Sequence, residues 1–355
     1  MYMKYKLGEI CEIVSGSTPK TSISEYWDGK VKWITPAELK EDTYIIEDSV
    51  RKITEKAVKD TGLTSFPEGT VILSSRAPIG KVAIAGCEMY CNQGFKNLIC
   101  SDKIYNRYLY WFLRGKTKYL ESLGRGATFK EISKQIVANI EIDIPDLCEQ
   151  HKIVRVLERI NKLIGLRQEE SKYLDSLIKA RFVELFIGKG YPTKTVDEVS
   201  LGKGEYGAQS ASIEYDSNRP RYVRITDIKD DGTLNDDIVA SINPDDDEQY
   251  RLEYGDFMFA RMGATVGKTY AFITGNQIFA GYLIRYRLNT KLINPRYLFW
   301  YTKLDEYWDW VKLNQSGAAQ PGINAKKYGS LRIPIPPIEL QQQFAAFVAQ
   351  TDKSK

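Results

Sequence analysis

A long stretch of helical periodicity lies in the middle of the chain. Between residues 145 and 187 the apolar positions recur in steps of three and four, which predicts one helix. Asp146, with Glu149 three residues later, is typical of a helix start, and Gly188 and Gly190 indicate its end. At about 1.5 Å per residue such a helix is on the order of 60 Å long. Since helices of globular proteins average about 11–12 residues, this one is predicted to hold two bodies apart or to cross a large core.

The apolar positions of this helix fall into two blocks, which a polar middle at Arg167 and Glu170 separates. Charged residues occupy the other faces, and this argues against burial on all sides. We therefore expect the apolar positions to form a subunit interface or a coiled-coil seam. They are Ile153, Val156, Ile160, Leu163, Leu174 and Leu177.

An internal repeat places one copy of a domain on each side of the predicted helix. Five pairs of similar segments carry it: 33–35 with 224–226, 74–86 with 259–275, 106–112 with 294–301, 124–132 with 315–323, and 140–150 with 331–341. This alignment pairs Arg76 with Arg261 and Lys81 with Lys268. The period is longer than the roughly 20–50 residues of solenoid repeats, so we interpret it as a domain duplication. The loops differ most, which predicts two similar scaffolds with different surfaces.

Short apolar strands and amphipathic helices alternate within each copy, which predicts an α+β fold with two similar mixed domains joined by the long helix. Strands are expected at 71–75, 81–86, 97–100, 138–144, 256–260, 268–273 and 282–288. Single helices, with aromatic stripes that pack in the core, are expected at 106–123 and 295–313. We place the first domain at 1–145, the long helix at 146–187, the second domain at 188–336 and the start of a second long helix at 337–355.

Composition adds little to this picture. Hydrophobic residues make up 43% and charged residues 27% of the chain, as in ordinary soluble proteins, and the net charge of +4 does not by itself indicate nucleic acid. The N-terminus lacks the apolar core of a signal peptide. The five cysteines form no CxxC motif, which argues against a zinc site or a disulfide framework. We therefore expect a cytoplasmic protein without a bound metal.

Two motifs resemble catalytic signatures, and each lacks a required feature. Residues 263–269 (GATVGKT) resemble a phosphate-binding loop, but Met262 stands where that motif has glycine, and a strand is predicted next. Residues 186–190 and 294–297 resemble the two signatures of an adenine methyltransferase. The glycines here end a helix, however, and Arg296 replaces the expected second proline. A self-contained methyltransferase stays an alternative, as does a two-headed protein–protein adaptor.

The duplicated domain, the central helix and the helix entry IP-x-L-x-EQ-x-KI at 144–153 together resemble one family. This is the specificity subunit, HsdS, of type I restriction–modification systems. The segments 6–20, 33–39 and 221–228 are also similar to that family. The resemblance covers essentially the whole chain. It implies that each copy is a target-recognition domain for one half of a split double-stranded DNA sequence. It also implies that the long helices pair as an antiparallel coiled coil, and that the chain itself has no catalytic residue or cofactor.

The resemblance further implies partner proteins. Two modification subunits would dock on the helices and methylate adenine with S-adenosylmethionine. Restriction subunits would add translocation and cleavage that depend on ATP and Mg. The chain departs from the family because only residues 338–355 follow Pro337, so the second helix is short. We expect the seam near Leu174 and Leu177 to lack an internal partner, and the lone chain to self-associate.

DNA surfaces use arginine, lysine, asparagine and glutamine on loops and helix tips. We favour the pairs Arg76/Arg261 and Lys81/Lys268, because both copies keep the same residue type near glycine. The alternative for every candidate is an ordinary solvated side chain. The DNA-binding candidates are Lys20, Lys32, Arg76, Lys81, Arg125, Lys130, Arg219, Arg221, Arg224, Arg261, Lys268, Gln315, Gln320 and Asn324.

Overall fold

A computed structural model of the chain describes residues 2–40, 42–126, 130–242, 248–317 and 320–354. The chain divides into two compact units, unit 1 (Met1–Gly165) and unit 2 (Leu166–Lys355). In these described ranges no helix combines the length and the apolar character needed to cross a membrane.

Unit 1 is built from short strands and helices around one main sheet. In chain order they are β1 (Met3–Lys6), α1 (Leu7–Ile10), β2 (Cys11–Ser15), β3 (Trp27–Ile34), β4 (Ile45–Ile46), β5 (Lys52–Ile53), α2 (Glu55–Thr61), β6 (Val71–Ser74), β7 (Val82–Ala85), β8 (Tyr90–Cys91), β9 (Phe95–Cys100), α3 (Asn106–Arg114), α4 (Thr117–Leu123), α5 (Lys134–Ala138), β10 (Glu141–Ile144) and the start of α6 (Leu147–Phe186). The main sheet has the order β2-β9-β6-β7-β4, and smaller sheets have the orders β5-β3-β8 and β1-β10.

The alternation of side chains along β6 explains why this sheet is buried on both faces. Val71 and Leu73 pack in a cluster with Leu109 of α3, whereas Ile72 packs on the other face with Ile34 of β3. All four strand residues are almost fully buried. The main sheet therefore forms the middle layer of unit 1, with α3 on one side and the smaller sheet on the other.

Unit 2 repeats this plan, and the part of it that the structure describes has one strand fewer in the main sheet. After the C-terminal part of α6 come β11 (Thr193–Thr195), β12 (Glu205–Tyr206), β13 (Ser212–Glu214), β14 (Arg221–Val223), β15 (Ala240–Ile242), β16 (Asp256–Ala260), β17 (Thr269–Ala271), β18 (Gln277–Phe279), β19 (Leu283–Arg287), α7 (Pro295–Tyr301), α8 (Asp305–Asn314), α9 (Ala325–Gly329), β20 (Arg332–Pro334) and α10 (Ile338–Asp352). In the described residues the main sheet has the order β12-β19-β16-β17, and the second sheet has the order β13-β15-β14-β18.

The predicted α+β fold, with two similar mixed domains and a long helix, is confirmed, and each predicted strand has a counterpart. The helices predicted at 106–123 and 295–313 are wrong as single elements, because each is two helices. The backbone leaves the helical region at Lys116 (φ −113°, ψ 15°) and at Leu304 (φ −81°, ψ 151°). Gly115 just before Lys116 is a poor helix former, which explains the first break.

Matching hydrogen bonds determine how the two copies correspond. The N–H of Ser74 donates to the carbonyl of Lys81 at 2.9 Å, and the N–H of Ala260 donates to that of Lys268 at 2.8 Å. The predicted pairing of Lys81 with Lys268 is therefore confirmed at the level of the backbone.

The predicted pairing of Arg76 with Arg261 is wrong. The N–H of Ile132 donates to the carbonyl of Ser75 at 2.9 Å, and the N–H of Ile323 donates to that of Arg261 at the same distance. Arg261 thus corresponds to Ser75. The turn that follows has one residue more in unit 2. Arg76 lies four residues before Gly80 and Arg261 lies six residues before Gly267, so the shared residue type does not mark the same position.

The alignment of 33–35 with 224–226 is wrong by two residues for a similar reason. The backbone N–H of Thr35 donates to the Glu38 carboxylate at 2.8 Å, and that of Arg224 donates to the Asp227 carboxylate at 2.9 Å. Thr35 therefore corresponds to Arg224. This shared turn determines how the two copies align. The dipeptide Ile-Thr, on which the sequence alignment relied, lies two positions later in unit 2 than in unit 1.

Candidate nucleic-acid interface

Two loops of unit 1 meet around Glu131 and bring several candidate residues together. Backbone hydrogen bonds of 3.0 and 2.9 Å join Arg125 and Glu131 in both directions. The Nε of Arg76 lies 2.9 Å from one carboxylate oxygen of Glu131, and the Nζ of Lys96 lies 3.3 Å from the other. The Lys96 side chain is 7% exposed, whereas that of Arg76 is 42% exposed. Arg125 and Lys130 are exposed beside this cluster.

Glu131 keeps its charge in this position. Partial burial raises the pKa of its carboxyl, but the hydrogen bonds from Arg76 and Lys96 outweigh burial, so the pKa lies below its usual value. The carboxylate holds Arg76 by one of the five N–H groups of a guanidinium. The other donors of Arg76 can bind an additional acceptor, such as a phosphate or a base edge.

The corresponding loops of unit 2 carry less charge. Ser316 and Gly322 exchange backbone hydrogen bonds of 3.0 and 2.9 Å, and Gly322 occupies the place of Glu131. The guanidinium of Arg261 lies 4.8 Å from the ring centroid of Tyr206. A cation over an aromatic face at this distance is held by a favourable electrostatic interaction. Two further candidates, Gln315 and Gln320, are exposed on the same loop.

The favoured lysine pair has an internal partner in both units. The Nζ of Lys81 lies 2.5 Å from the carbonyl of Leu39, and the Nζ of Lys268 lies 3.4 Å from that of Ile228. These two carbonyls correspond, because each belongs to the residue that directly follows the shared turn, 35–38 in unit 1 and 224–227 in unit 2. Lys268 also pairs with Asp230 at 2.7 Å. Each lysine therefore ties the turn to the main sheet, and a DNA contact by either stays a prediction.

Most of the remaining candidates also make contacts within the protein, and their roles on DNA stay predictions. Lys32 donates to the carbonyl of Glu47 at 2.7 Å, and Asn324 caps α9 by accepting from the Lys327 N–H at 2.9 Å. Three arginines pair with aspartates: Arg219 with Asp216, Arg221 with Asp236, and Arg224 with the buried Asp227. Lys20 is exposed.

Helix α6 has 40 residues and exposes much of its predicted seam. The Asp146 carboxylate accepts from the Glu149 N–H at 2.9 Å, as expected for a helix start. Four seam residues are about half exposed, between 48% and 58%: Val156, Ile160, Leu163 and Leu177. Ile153 and Leu174 are partly buried.

Sequence reasoning missed the face of α6 that packs. In unit 2 this face consists of Ile178, Phe182 and Phe186, all buried, and the two phenylalanines lie 5.3 and 5.5 Å from the ring of Phe344 in α10. Their spacing of four residues was visible as a signal and extends back to the partly buried Leu174, whereas the exposed Leu177 lies on another side of the helix. Lys96 was missed because it lies within a buried strand and no partner is near in sequence.

The resemblances to catalytic motifs do not extend to the structure around them. Residues 263–269 run into strand β17 rather than into a helix, as predicted. Gly188 and Gly190 both have φ of 71° and follow the end of α6, in the manner of a helix C-terminus. Within the described residues no group of three or more His, Cys, Asp or Glu side chains is arranged to hold a metal ion.

Comparison with known sequences finds the same family in both halves of the chain. The sequence profile of the type I restriction modification DNA specificity domain matches residues 1–175 and again residues 193–355. A type I restriction enzyme MjaIX specificity subunit from Methanocaldococcus jannaschii is 29% identical, over 97% of this chain and 85% of that protein. The MjaVIII specificity subunit of the same organism is 23% identical over 98% and 85%.

Solved structures share the fold. An S subunit of a type I restriction-modification system from M. genitalium superposes with a TM-score of 0.56 at 15% identity, over all of this chain and 90% of that one. A chain from a study of the assembly and conformational transition of the type I R-M system gives the same score at 19% identity, over 99% and 90%. Because the family profile covers almost the entire sequence, once in each half, this chain belongs to the type I restriction–modification DNA specificity family.

Proposed function

We propose that this chain is the non-catalytic DNA-specificity subunit of a type I restriction–modification complex, and that each copy recognises one half of a split DNA target. One observation carries the proposal: the same DNA specificity profile matches the chain twice. Two copies of one recognition fold suit two half-sites on one duplex, since each half-site must be met on a compatible helical face. The names of the curated relatives, which are specificity subunits, support the same assignment.

The recognition domains would comprise residues 1–145 and 188–336, with the helix at 146–187 between them. On this proposal the loops around Glu131 contact the first half-site. Arg125 and Lys130 are exposed there, and Glu131 holds Arg76 through the Nε of its guanidinium. In unit 2 the corresponding surface would use Arg261, Gln315 and Gln320. The difference in charge suits different sequences, since glutamine pairs with adenine and arginine with guanine in the major groove.

The partners would be two modification subunits and the restriction subunits of the same system. The half-exposed apolar positions of α6 supply a surface for the modification subunits, because exposed apolar patches of this kind mark protein interfaces. S-adenosylmethionine, ATP and Mg would be bound by the partners, and the complex would act in the cytoplasm on double-stranded DNA. Methylation needs the target base to be flipped out of the duplex, which favours a grip on both sides of the site.

Methylation sequencing tests this proposal. Cells that express the modification subunit of the same system would be compared with and without this chain. We expect adenine methylation at one bipartite sequence only when the chain is present. Methylation at the same sites without the chain, or S-adenosylmethionine binding to the isolated chain at micromolar concentration, would refute the assignment in favour of another subunit or of a self-contained methyltransferase.

A further inference from the structure

Two loops meet at one end of the main sheet in each unit. The first loop follows β2 in unit 1 (residues 16–20) and β12 in unit 2 (207–211), and the second precedes β9 (92–94) and β19 (280–282). β2 pairs antiparallel with β9, and β12 pairs antiparallel with β19. The end of one strand therefore lies beside the start of the other, which brings the two loops of each unit together.

Backbone hydrogen bonds determine which positions of the second loop correspond. The N–H of Ser75 donates to the carbonyl of Gly94 at 2.7 Å, and the N–H of Arg261 donates to that of Tyr282 at 3.0 Å. Since Arg261 corresponds to Ser75, Tyr282 corresponds to Gly94.

Side-chain hydrogen bonds give the same information for the first loop. The indole nitrogen of Trp33 donates to the carbonyl of Ser17 at 3.1 Å, and the hydroxyl of Tyr222 donates to that of Ala208 at 2.8 Å. Trp33 and Tyr222 correspond, because each lies two residues before the shared turn at 35–38 or 224–227. Ala208 therefore corresponds to Ser17.

A glutamine lies between the two loops in both units, but it comes from opposite loops. By the correspondence above, Thr18 and Gln93 of unit 1 stand where unit 2 has Gln209 and Gly281. In unit 1 the Thr18 hydroxyl donates to the side-chain oxygen of Gln93. In unit 2 a Cβ at Gly281 would lie 2.4 Å from the amide nitrogen of Gln209, so this side chain lies over the glycine. Both glutamines are exposed.

Each glutamine lies beside the arginine that the proposed function places on DNA in the same unit. In unit 1 the residue after Gln93 bonds to Ser75, which directly precedes Arg76. In unit 2 the residue after Gly281 bonds to Arg261 itself. The charges around these two positions differ, whereas the amide is present in both.

The amide group matches one base in particular. A glutamine oxygen accepts from N6 of adenine while its nitrogen donates to N7, both in the major groove. The bond from Thr18 orients the Gln93 amide and leaves its oxygen a second lone pair. Contact with Gly281 restricts the Gln209 amide in the same way. We propose that Gln93 and Gln209 each read one adenine of their half-site, an inference that rests on the proposed function.

Replacement of single atoms in the DNA tests the proposal. The probe is a duplex with the bipartite sequence found by methylation sequencing, bound by the complex of this chain with its modification subunit. Each adenine of either strand, except the methylated one, is replaced in turn by 7-deazaadenine, which lacks the N7 acceptor and still pairs with thymine. We expect binding to weaken about fivefold or more at one adenine in each half-site.

Variants assign each sensitive adenine to its glutamine. Gln93→Ala should weaken binding to unmodified DNA by about fivefold or more and remove the effect of 7-deazaadenine in the first half-site only. Gln209→Ala should do the same in the second half-site only. Gln168→Ala changes an exposed glutamine of α6 and should leave both effects intact.

A substitution that leaves the glutamine itself unchanged gives an independent measurement. The Cβ that Gly281→Ala introduces meets the flexible end of the Gln209 side chain, so we expect the fold to be retained and the amide to be displaced. This variant should therefore reproduce the effect of Gln209→Ala.

Three results would overturn the proposal. The first is a target in which no adenine responds to 7-deazaadenine in the unsubstituted complex, which needs no variant to fold. The second is full sensitivity to 7-deazaadenine in both alanine variants. The third is an equal loss of affinity for all sequences with a reduced salt dependence, which would assign the glutamines to phosphates. Failure of the proposed function is distinguishable, because the unsubstituted complex would then show no sequence preference at all.

Discussion

The side-chain oxygen of Gln150 accepts a hydrogen bond from the backbone N–H of Tyr105 at 2.8 Å. The Gln150 amide also donates to the carbonyls of Lys103 and Pro145, at 3.1 and 2.9 Å. Gln341 of α10 makes the corresponding three bonds in unit 2, beginning with the Asn294 N–H at 2.9 Å. Both glutamines are fully buried. Each therefore fastens the first turn of its helix, α6 or α10, to the domain that precedes it.

Loss of this amide should destabilise the unit that contains it. We expect Gln150→Ala and Gln341→Ala each to lower the free energy of unfolding by about 2–4 kcal/mol, because buried backbone groups lose their partners. Urea unfolding, with hydrogen exchange of each unit as the readout, measures the change in the free energy of unfolding. Gln168→Ala is the control, since Gln168 is an exposed glutamine of α6. A loss no larger than that of the control would contradict the role assigned to the buried pair.

The paired lysines should affect stability rather than DNA binding. Lys81→Met and Lys268→Met remove the bond to the carbonyl of Leu39 or Ile228, so we expect each to lower the free energy of unfolding by about 1–2 kcal/mol. The affinity for target DNA and its dependence on salt should stay unchanged in variants that remain folded. A salt dependence reduced by about one phosphate contact would instead place these lysines on DNA.

Arg125 and Lys130 should show the opposite behaviour. The double variant Arg125→Ala/Lys130→Ala should reduce the slope of log affinity against log salt by about 1–2, with stability changed by no more than about 0.5 kcal/mol. Lys59→Ala, an exposed lysine of α2, is the control. The affinity should fall for the first half-site only. Methylation of DNA targets in which one half-site is altered at a time would measure this. Equal loss at both half-sites would contradict the assignment of these loops to one half.

The pH dependence of stability should carry a contribution from Lys303. Burial lowers the pKa of its ammonium from 10.5 to about 8. Between pH 8 and 10.5 the unfolded chain therefore binds more protons than the folded chain, so this residue makes stability rise with pH across that window. We expect Lys303→Met to remove about 1–2 kcal/mol of that rise, allowing for partial exposure. Urea unfolding of the unsubstituted chain and of Lys303→Met at pH 8 and 10 measures the difference. An equal change in the free energy of unfolding between the two pH values in both proteins would contradict the prediction.

The long helix, the duplication and the strands could all be predicted from the sequence, because each is a local periodicity or a repeated string of residues. The family resemblance came from the same features, and the sequence profile confirms it. The apolar positions from Ile153 to Leu177 were also visible. Which of them pack was not, because side chains elsewhere in the fold, such as Phe344, determine which face of α6 is covered.

Only the tertiary structure shows which residues of the two copies correspond and which partners the candidate side chains have within the protein. Arg76 and Arg261 look equivalent in sequence, but hydrogen bonds across the sheet pair Arg261 with Ser75. Lys81 bonds to the carbonyl of Leu39, 42 positions earlier, at 2.5 Å, a partner that the sequence does not indicate. Strand β4 of unit 1 likewise has no counterpart beside β17 among the described residues of unit 2. Such relationships depend on which distant backbone groups become partners, and neither residue type nor local spacing contains that information.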